Sequence, residues 1–207
     1  MTVDLYILAA GRSLRMGRPK PLVEVGGTSL LERSVRAGHA SSVRSVTVVT
    51  GSSRREVEAL ASDLGAGALW NKRYRDGLAS SVALAARHAG QRGSPADGLL
   101  LAGCDQPFLT AGVLDRLVAA AQGDLSRAVA CKYEKTVGNP ALFPFSWWPE
   151  LLGLQGDRGA KVILERHSDH LVQIDWQAGR INVNSMADLD RIDPVSLPDP
   201  GNSIMIV

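Results

Sequence analysis

Several features that would point to particular classes of protein are scarce or missing in this sequence. Its 207 residues include only two cysteines, Cys104 and Cys131, whose spacing fits neither a disulfide framework nor a metal site. The formal net charge is +2 with basic residues spread along the chain, which gives no case for nucleic-acid binding. No apolar run reaches the length of a membrane span, and Asp4 interrupts the first one, so we expect neither membrane insertion nor a signal peptide. These absences predict a globular protein of the cytoplasm.

The sequence also lacks the two commonest phosphate-binding motifs. A P-loop requires Gly-Lys-Ser/Thr after its spacer, but Gly17 is followed by arginine and proline. A dinucleotide fingerprint requires G-x-G-x-x-G, but Gly11 is followed by Arg-Ser-Leu. Any phosphate site must therefore be built in another way.

What the chain does contain is a basic loop directly after a short apolar strand. Residues 3–10 are almost wholly apolar, which is typical of a strand buried on both faces in a parallel sheet. Gly11 follows, and four cations come after it: Arg12, Arg15, Arg18 and Lys20. Glycine allows a close backbone approach to a ligand, and cations at the carboxyl end of a strand suggest a polyanion site. The alternative is a basic surface loop after a core strand.

A second informative segment covers residues 71–82. Gly77 lies in a predicted turn, and Ser80 and Ser81 open a predicted helix. Hydroxyls and free amides at a helix start suit polar or anionic ligand atoms. Plain helix capping by serine is the alternative.

A carboxylate, Asp105, follows the apolar run that ends at residue 103. We expect it at the carboxyl edge of the sheet, where ligands collect in open α/β folds. Mg²⁺ prefers oxygen ligands and bridges to phosphates, so Asp105 is a candidate magnesium ligand. The alternative role, capping the helix near Thr110, suits Thr110 itself better.

The C-terminal half carries two further glycine-containing segments. Residues 138–144 combine glycine and proline before a short apolar strand, which indicates either backbone near a ligand or a bent edge strand. Residues 156–159 precede a predicted helix whose amides, with Arg158 or Lys161, are candidates for binding a phosphate. Alternatively, Asp157 caps a turn between two helices.

The remaining C-terminal patterns are weaker. The spacing of His167 and His170 gives little support for a metal site. Residues 180–189 predict a short strand that runs into a capped helix, and residues 193–207 predict an irregular tail.

These segments resemble the nucleoside-triphosphate transferases of the MobA-like family. Their signature, L-x-A-G-x-x-x-R-M-G-x-x-K, is matched at every fixed position, namely Leu8, Ala10, Gly11, Arg15, Met16, Gly17 and Lys20. Further segments resemble the MocA-like molybdenum cofactor cytidylyltransferases in particular. They are N-x-x-Y-x-x-G-x-x-S-S from residue 71, Asp-x-Pro from residue 105, and G-N-P-x-x-F followed by L-x-x-L-x-G-D-x-G-A. The closing motif, D-x-D-T-P-x-D-L, is matched only in part, because Asn182 and Asn184 replace both aspartates. Related guanylyltransferases carry asparagines there.

The resemblance implies a fold and an activity. The fold is a three-layer α/β/α, Rossmann-like nucleotidyltransferase domain over residues 1–192, with a mainly parallel sheet and one antiparallel strand in the C-terminal half. The activity is transfer of CMP from CTP to the phosphate of molybdopterin with release of pyrophosphate, and a molybdoenzyme would be the client. Use of GTP or of another phosphorylated acceptor is one alternative. A carrier that delivers the finished cofactor without turnover is another.

The resemblance also implies roles for individual residues. Arg15, Lys20 and Asp105 would be catalytic, and Asp105 with Asn184 would hold Mg²⁺. The nucleotide and the pterin phosphate would be bound by Leu8, Ala9, Ala10, Gly11, Arg12, Ser13, Ser80, Ser81, Gly138, Asn139, Asp157, Arg158 and Gly159. The CTP-using members carry Ala-Ala-Gly where the GTP-using members usually carry Ala-Gly-Gly, and this chain has Ala9-Ala10-Gly11.

Overall fold

The computed structural model describes residues 1–91, 93, 95–121, 124 and 126–202. Nine strands are described, in chain order β1 (Val3–Leu8), β2 (Glu24–Val25), β3 (Thr28–Ser29), β4 (Ser45–Thr50), β5 (Gly67–Trp70), β6 (Gly98–Gly103), β7 (Ala128–Tyr133), β8 (Thr136–Pro144) and β9 (Leu171–Asp175). The α-helices described are α1 (Leu30–Ala40), α2 (Arg54–Asp63), α3 (Leu78–Gln91), α4 (Ala111–Ala121), α5 (Trp148–Leu152), α6 (Lys161–Arg166) and α7 (Met186–Leu189). In this described part, no helix is both long and apolar enough to cross a membrane.

Seven of the strands form one sheet in the order β5-β4-β1-β6-β8-β7-β9, and β2 and β3 form a separate hairpin. All pairs in the large sheet are parallel except those of β8, which runs antiparallel to both β6 and β7. The predicted fold class is therefore confirmed, including the single reversed strand in the C-terminal half. Because β8 lies between two partners, the bent edge strand considered for residues 138–144 is wrong.

The sheet separates two apolar clusters, which makes the three layers. Along β1, Leu5 and Ile7 face one cluster and Tyr6 faces the other, as the two-residue period of a strand requires. One face is covered by α1, α2 and α4 through Leu31, Val57 and Leu114. The other is covered by α3, α5 and α6 through Val82, Leu151 and Ile163. With both faces covered, β1 and β6 are buried along nearly their whole length, which explains their apolar sequences.

Three local predictions need correction. Helix α3 begins at Leu78, so Ser80 and Ser81 lie within its first turn rather than at its start. Asp157 does not cap α6, which begins at Lys161 after Ala160 and has no side-chain cap. Residues 181–184 lie outside any strand, and the capped helix that follows is α7 with its Ser185–Asp188 capping box.

The segment after Ile192 packs against the rest of the molecule over residues 193–202. Arg33 donates from Nη2 to the carbonyl oxygen of Pro198 at 2.6 Å, and the carbonyl oxygens of Pro200 and Asn202 accept the backbone amides of Ala111 and Gly112 at 2.9 and 3.2 Å. The rest of the predicted tail, residues 203–207, lies outside the described residues. A domain boundary at residue 192 stays a prediction.

Candidate active site

A cavity of about 630 Å³ opens at the carboxyl ends of β1 and β6. Its walls come from five parts of the chain: residues 8–15 and 20–21, residues 74–75 and 77–78 with Ser81, residues 103–105, Asn139 with Asp157, and Asn184. This is the position where open parallel sheets bind ligands. The volume lies in the range of small-molecule sites.

The basic loop is anchored by one buried side chain and one internal hydrogen bond, while its arginines remain exposed. Met16 is 4% exposed and packs in a small apolar cluster with Val23 and Leu30. Ser13 has a positive φ of 51°, and its Oγ accepts the backbone amide of Lys20 at 2.9 Å. Arg12 and Arg15 line the cavity, are exposed, and have no ion-pair partner among the residues that the structure describes. The loop therefore presents two uncompensated cations to the cavity, as an anionic ligand requires.

Three predicted site residues converge on a single point. Lys20 Nζ lies 3.3 Å from Asp105 Oδ2 and donates to Asn184 Oδ1 at 2.9 Å. The side chains of Lys20 and Asp105 are 18% and 31% exposed, so both remain accessible from the cavity. The Asp188 carboxylate fixes the backbone beside Asn184 by accepting the amides of Asn184 and Ser185 at 2.9 and 2.8 Å. These hydrogen bonds lower the pKa of Asp188 below its usual value.

The remaining predicted residues divide into two groups. Lining the cavity are Leu8, Ala9, Ala10, Gly11, Arg12, Ser13, Ser81, Asn139 and Asp157. Gly138, Arg158, Gly159 and Ser80 do not line it. Ser80 lines a neighbouring cavity instead, beyond the first turn of α3. Because α6 has only six residues and Arg158 and Gly159 stay outside the cavity, the structure gives no support for a phosphate held at its start.

Asn139 reaches the cavity through an irregularity in β8. The pairing of β7 with β8 shifts between Ala130 and Cys131, leaving Asn139 and Pro140 outside the regular ladder. Proline has no amide hydrogen to donate, so it is tolerated at such a bulge. Gln106, which is 3% exposed, donates from Nε2 to the carbonyl oxygens of Asn139 and Gly179 at 3.0 and 2.9 Å. The bulge is thereby tied to the loop that carries Asp105.

Residues 5–171 match the family described as the MobA-like NTP transferase domain. The chain belongs to this family. Two relatives add detail: "Bifunctional protein GlmU" of Jannaschia sp. is 32% identical over 124 residues, 58% of this chain but only 27% of that protein. "Purine catabolism protein PucB" of Bacillus subtilis is 28% identical over 166 residues, 76% of this chain and 78% of that protein. The chain thus spans about a quarter of the length of the GlmU relative and most of the length of PucB.

Solved structures share the fold of this MobA-like chain. Rv0371c of Mycobacterium tuberculosis superposes with a TM-score of 0.77 at 24% identity, over 92% of this chain and 97% of that one. A complex of Rv0371c with manganese gives 0.75 at 22% identity, with the same coverage. Molybdopterin-guanine dinucleotide biosynthesis protein A of Archaeoglobus fulgidus gives 0.66 at 23% identity, over 91% and 95%. The family match identifies the chain as an NTP transferase domain, and these structures show that it shares their fold.

The donor set of this MobA-like site fits a divalent ion that is shared with a nucleotide. One carboxylate oxygen and one amide oxygen, from Asp105 and Asn184, lie within reach of the same ammonium group, so they point to a common position. In the described part of the chain, no group of three or more His, Cys, Asp or Glu side chains forms a complete protein cage. Mg²⁺ typically takes one or two protein oxygens and completes its shell with water and phosphate. Of the two asparagines in the closing motif, Asn184 lines the cavity and Asn182 does not. Asn182 instead donates to the backbone carbonyl of Arg180 at 3.2 Å.

A cysteine nucleophile is not available in the cavity. Cys104 lines the cavity next to Asp105, but it is 5% exposed. Burial, and next the charge of Asp105, raise the pKa of the Cys104 thiol to about 12. The thiol therefore stays protonated at neutral pH and acts as packing. His167, considered as a metal ligand from the sequence, contacts Glu150 at 2.7 Å and does not line this cavity.

Several residues that shape the cavity were not predicted from the sequence as site residues. Tyr74 and Arg75 line the cavity together with the basic loop, and Arg75 Nε donates to Tyr74 Oη at 3.3 Å. Gly51 touches Ala10 so closely that a Cβ added there would overlap the Ala10 carbonyl oxygen. Ser52 holds the same turn, donating from Oγ to the carbonyl oxygen of Gly11 at 2.8 Å. The tyrosine was visible in the quoted motif, but nothing in the sequence indicated the contact between the ends of β1 and β4.

Proposed function

We propose that this chain transfers CMP from CTP to the phosphate of molybdopterin, using Mg²⁺ and releasing pyrophosphate. The observation that carries the proposal is the convergence of Lys20, Asp105 and Asn184 beside Arg12 and Arg15. A cytoplasmic location and a molybdoenzyme client belong to the same proposal. The manganese complex of Rv0371c supports a divalent ion in such a site.

The proposed chemistry requires charge stabilisation rather than a strong base. An oxygen of the acceptor phosphate, which is largely dianionic at neutral pH, attacks the α-phosphorus of CTP. The bond from that phosphorus to the oxygen bridging the α and β phosphates breaks, and pyrophosphate leaves with the bonding electrons. Bringing two polyanions together is the main obstacle, so positioned cations supply most of the catalysis.

Each cationic residue then has a defined task. Arg12 and Arg15 neutralise the triphosphate, and Lys20, which lies beside Asp105 in the absence of a metal, turns toward the α-phosphate. Asp105 and Asn184 would hold the Mg²⁺, which when bound supplies further neutralisation of the phosphate oxygens. Asn139 lies on the same cavity wall and is available to the acceptor.

The choice of CTP rests on the space near Ala10. Ala10 is 5% exposed as a residue, and its methyl group lies against Gly51, so it cannot move away from a larger base. The partly matched closing motif, with Asn184, favours GTP as the second candidate because related guanylyltransferases carry asparagines there. The two nucleotides must therefore be compared directly.

We expect CTP to bind about ten- to a hundredfold more tightly than GTP, because a mismatched base edge leaves buried polar groups unpaired. Calorimetric titration of both nucleotides into one preparation with excess Mg²⁺ measures this ratio. Pyrophosphate release that depends on added molybdopterin then tests the transfer. A preference for GTP would contradict the cytidylyl assignment, and binding without pyrophosphate release would indicate a carrier.

A further inference from the structure

Asn71 is a buried residue between the proposed nucleotide cavity and the neighbouring cavity that Ser80 lines. It is 3% exposed and lies directly after β5. Its Oδ1 accepts the backbone amide of Arg73 at 2.9 Å. Because a backbone amide can only donate, the orientation of the side-chain amide is determined. Nδ2 therefore donates its two hydrogens, to Ser80 Oγ at 2.8 Å and to Ser81 Oγ at 3.0 Å.

The two serines use their own hydrogens differently. Ser80 donates to the carbonyl oxygen of Gly77 at 2.8 Å and lines the neighbouring cavity. Ser81 is 3% exposed and lines the nucleotide cavity. Its hydroxyl accepts from Asn71, and within the part of the chain that the structure describes it has no acceptor for its own hydrogen. The Ser81 hydroxyl therefore has a hydrogen left to donate, and the residue lines the cavity in which a nucleotide would lie.

We propose that Asn71 is a positioning residue that makes Ser81 a hydrogen-bond donor to a carbonyl oxygen of the nucleobase. This inference rests on the proposed function, since it requires a nucleotide in the cavity. A hydroxyl has one hydrogen to donate and two lone pairs that accept. Asn71 already donates to one of the Ser81 lone pairs, so the group left without a partner is the hydroxyl hydrogen, and an acceptor on the base satisfies it. The site then favours bases that present an acceptor to Ser81 and discriminates against an amino group in the same place.

Asn71→Asp reverses this network with almost no change in size. A carboxylate only accepts, so it would take the hydrogens of the Ser80 and Ser81 hydroxyls. Ser81 would then present a lone pair to the carbonyl oxygen of the base. Asn71→Asp should therefore weaken binding by the same route as Ser81→Ala, although residue 71 itself does not touch the base.

The test compares CTP with ribose 5-triphosphate, which has the same phosphates but no base, by calorimetry with excess Mg²⁺. We expect Ser81→Ala and Asn71→Asp each to weaken CTP about tenfold and ribose 5-triphosphate less than twofold. The double variant should bind CTP no less tightly than the single variant that has the lower CTP affinity. Ser80→Ala, which truncates the other acceptor of the same amide, should weaken CTP clearly less than Ser81→Ala. Thermal unfolding shows whether each variant is folded. If Asn71→Asp does not fold, Asn71→Ala replaces it, and its loss of CTP affinity should likewise not add to that of Ser81→Ala.

Losses that multiply in the double variant, or equal losses for CTP and ribose 5-triphosphate, would overturn the inference. A wild-type protein that binds ribose 5-triphosphate as tightly as CTP would also overturn it while leaving the transferase proposal in place. A wild-type protein that binds neither CTP nor GTP would overturn the proposed function itself, which distinguishes the two failures.

Discussion

Lys20 contacts two side-chain oxygens that would also be ligands of a divalent ion. Its ammonium lies against the oxygens of Asp105 and Asn184 that form the proposed metal position. Two cations cannot share these oxygens at such short distances without strong repulsion. A metal there would require the lysine to turn toward the phosphates, which is where the proposed reaction needs its charge.

Lys20→Ala should therefore have opposite effects on turnover and on metal binding. We expect kcat to fall about a hundredfold, because a positioned charge at the reacting phosphate is lost. We expect Mn²⁺, titrated without nucleotide and followed by electron paramagnetic resonance, to bind several-fold more tightly because a competing cation is gone. Lys72→Ala, on an exposed lysine outside this cavity, is the control. Weaker Mn²⁺ binding in Lys20→Ala would show that the lysine supports the metal position instead.

At the level of secondary-structure elements, the site depends on the contact between the ends of β1 and β4. Ala9 donates its amide to the carbonyl oxygen of Val49 at 3.0 Å, and Ser52 donates its amide to that of Ala10 at 3.3 Å. Gly51 has no side chain, and only this allows the two chain segments to approach so closely. The position of the Ala10 turn, and with it the width of the cavity where we propose that the base binds, is set by the end of β4.

Gly51→Ala should displace the Ala10 turn and weaken both stability and nucleotide binding. The added methyl group would overlap backbone atoms, and overpacking of this kind costs about 2 kcal/mol. Gly67→Ala is a matched control on the neighbouring strand, since its Cβ would make an ordinary contact of 3.4 Å with Thr47. Denaturant unfolding and CTP titration of both variants provide the measurements. An unchanged CTP affinity in Gly51→Ala would mean that the turn does not shape the pocket.

At the level of the whole molecule, Arg33 connects the C-terminal segment to the loop after Asp105. It is 5% exposed and donates from Nε to the carbonyl oxygen of Pro107 at 2.8 Å, in addition to its bond to Pro198. Burial lowers the pKa of Arg33, while the charge of Asp199 opposes that shift. Burying a charged group costs desolvation free energy, and a buried cation stays charged only when hydrogen-bond partners offset that cost.

Truncation after Ile192 should lower stability by about 3 kcal/mol, because it leaves the Arg33 guanidinium and two amides of α4 without their partners. For a chain of this size, that corresponds to a fall in Tm of about 10 °C. Val195→Ser, at a position that is 92% exposed in the same segment, should change Tm by less than about 2 °C. An unchanged Tm on truncation would instead support an independent domain that ends at residue 192.

The sequence by itself determined the family and the main strands and helices of the sheet layers. The apolar runs of β1 and β6 predicted a parallel sheet because only strands covered on both faces are apolar along their length. The basic loop, Asp105 and the serines of α3 were recognised because each is a local pattern within a few neighbouring residues. Local patterns are carried by the order of residues along the chain, so no knowledge of packing was needed to find them.

Only the tertiary structure decided which of these residues meet. Lys20 is 85 residues from Asp105 and 164 from Asn184 along the chain, and no periodicity connects positions so far apart. Ser80 and Ser81 are adjacent in sequence, yet they face different cavities because successive residues of a helix point about 100° apart and α3 begins at Leu78. Similarly, Asn139 lies in the site and Gly138 does not, because β8 leaves its ladder between them. The order of the strands, the residue at which α3 begins and the bulge in β8 decide which side chains enter the cavity. All three result from packing between distant parts of the chain.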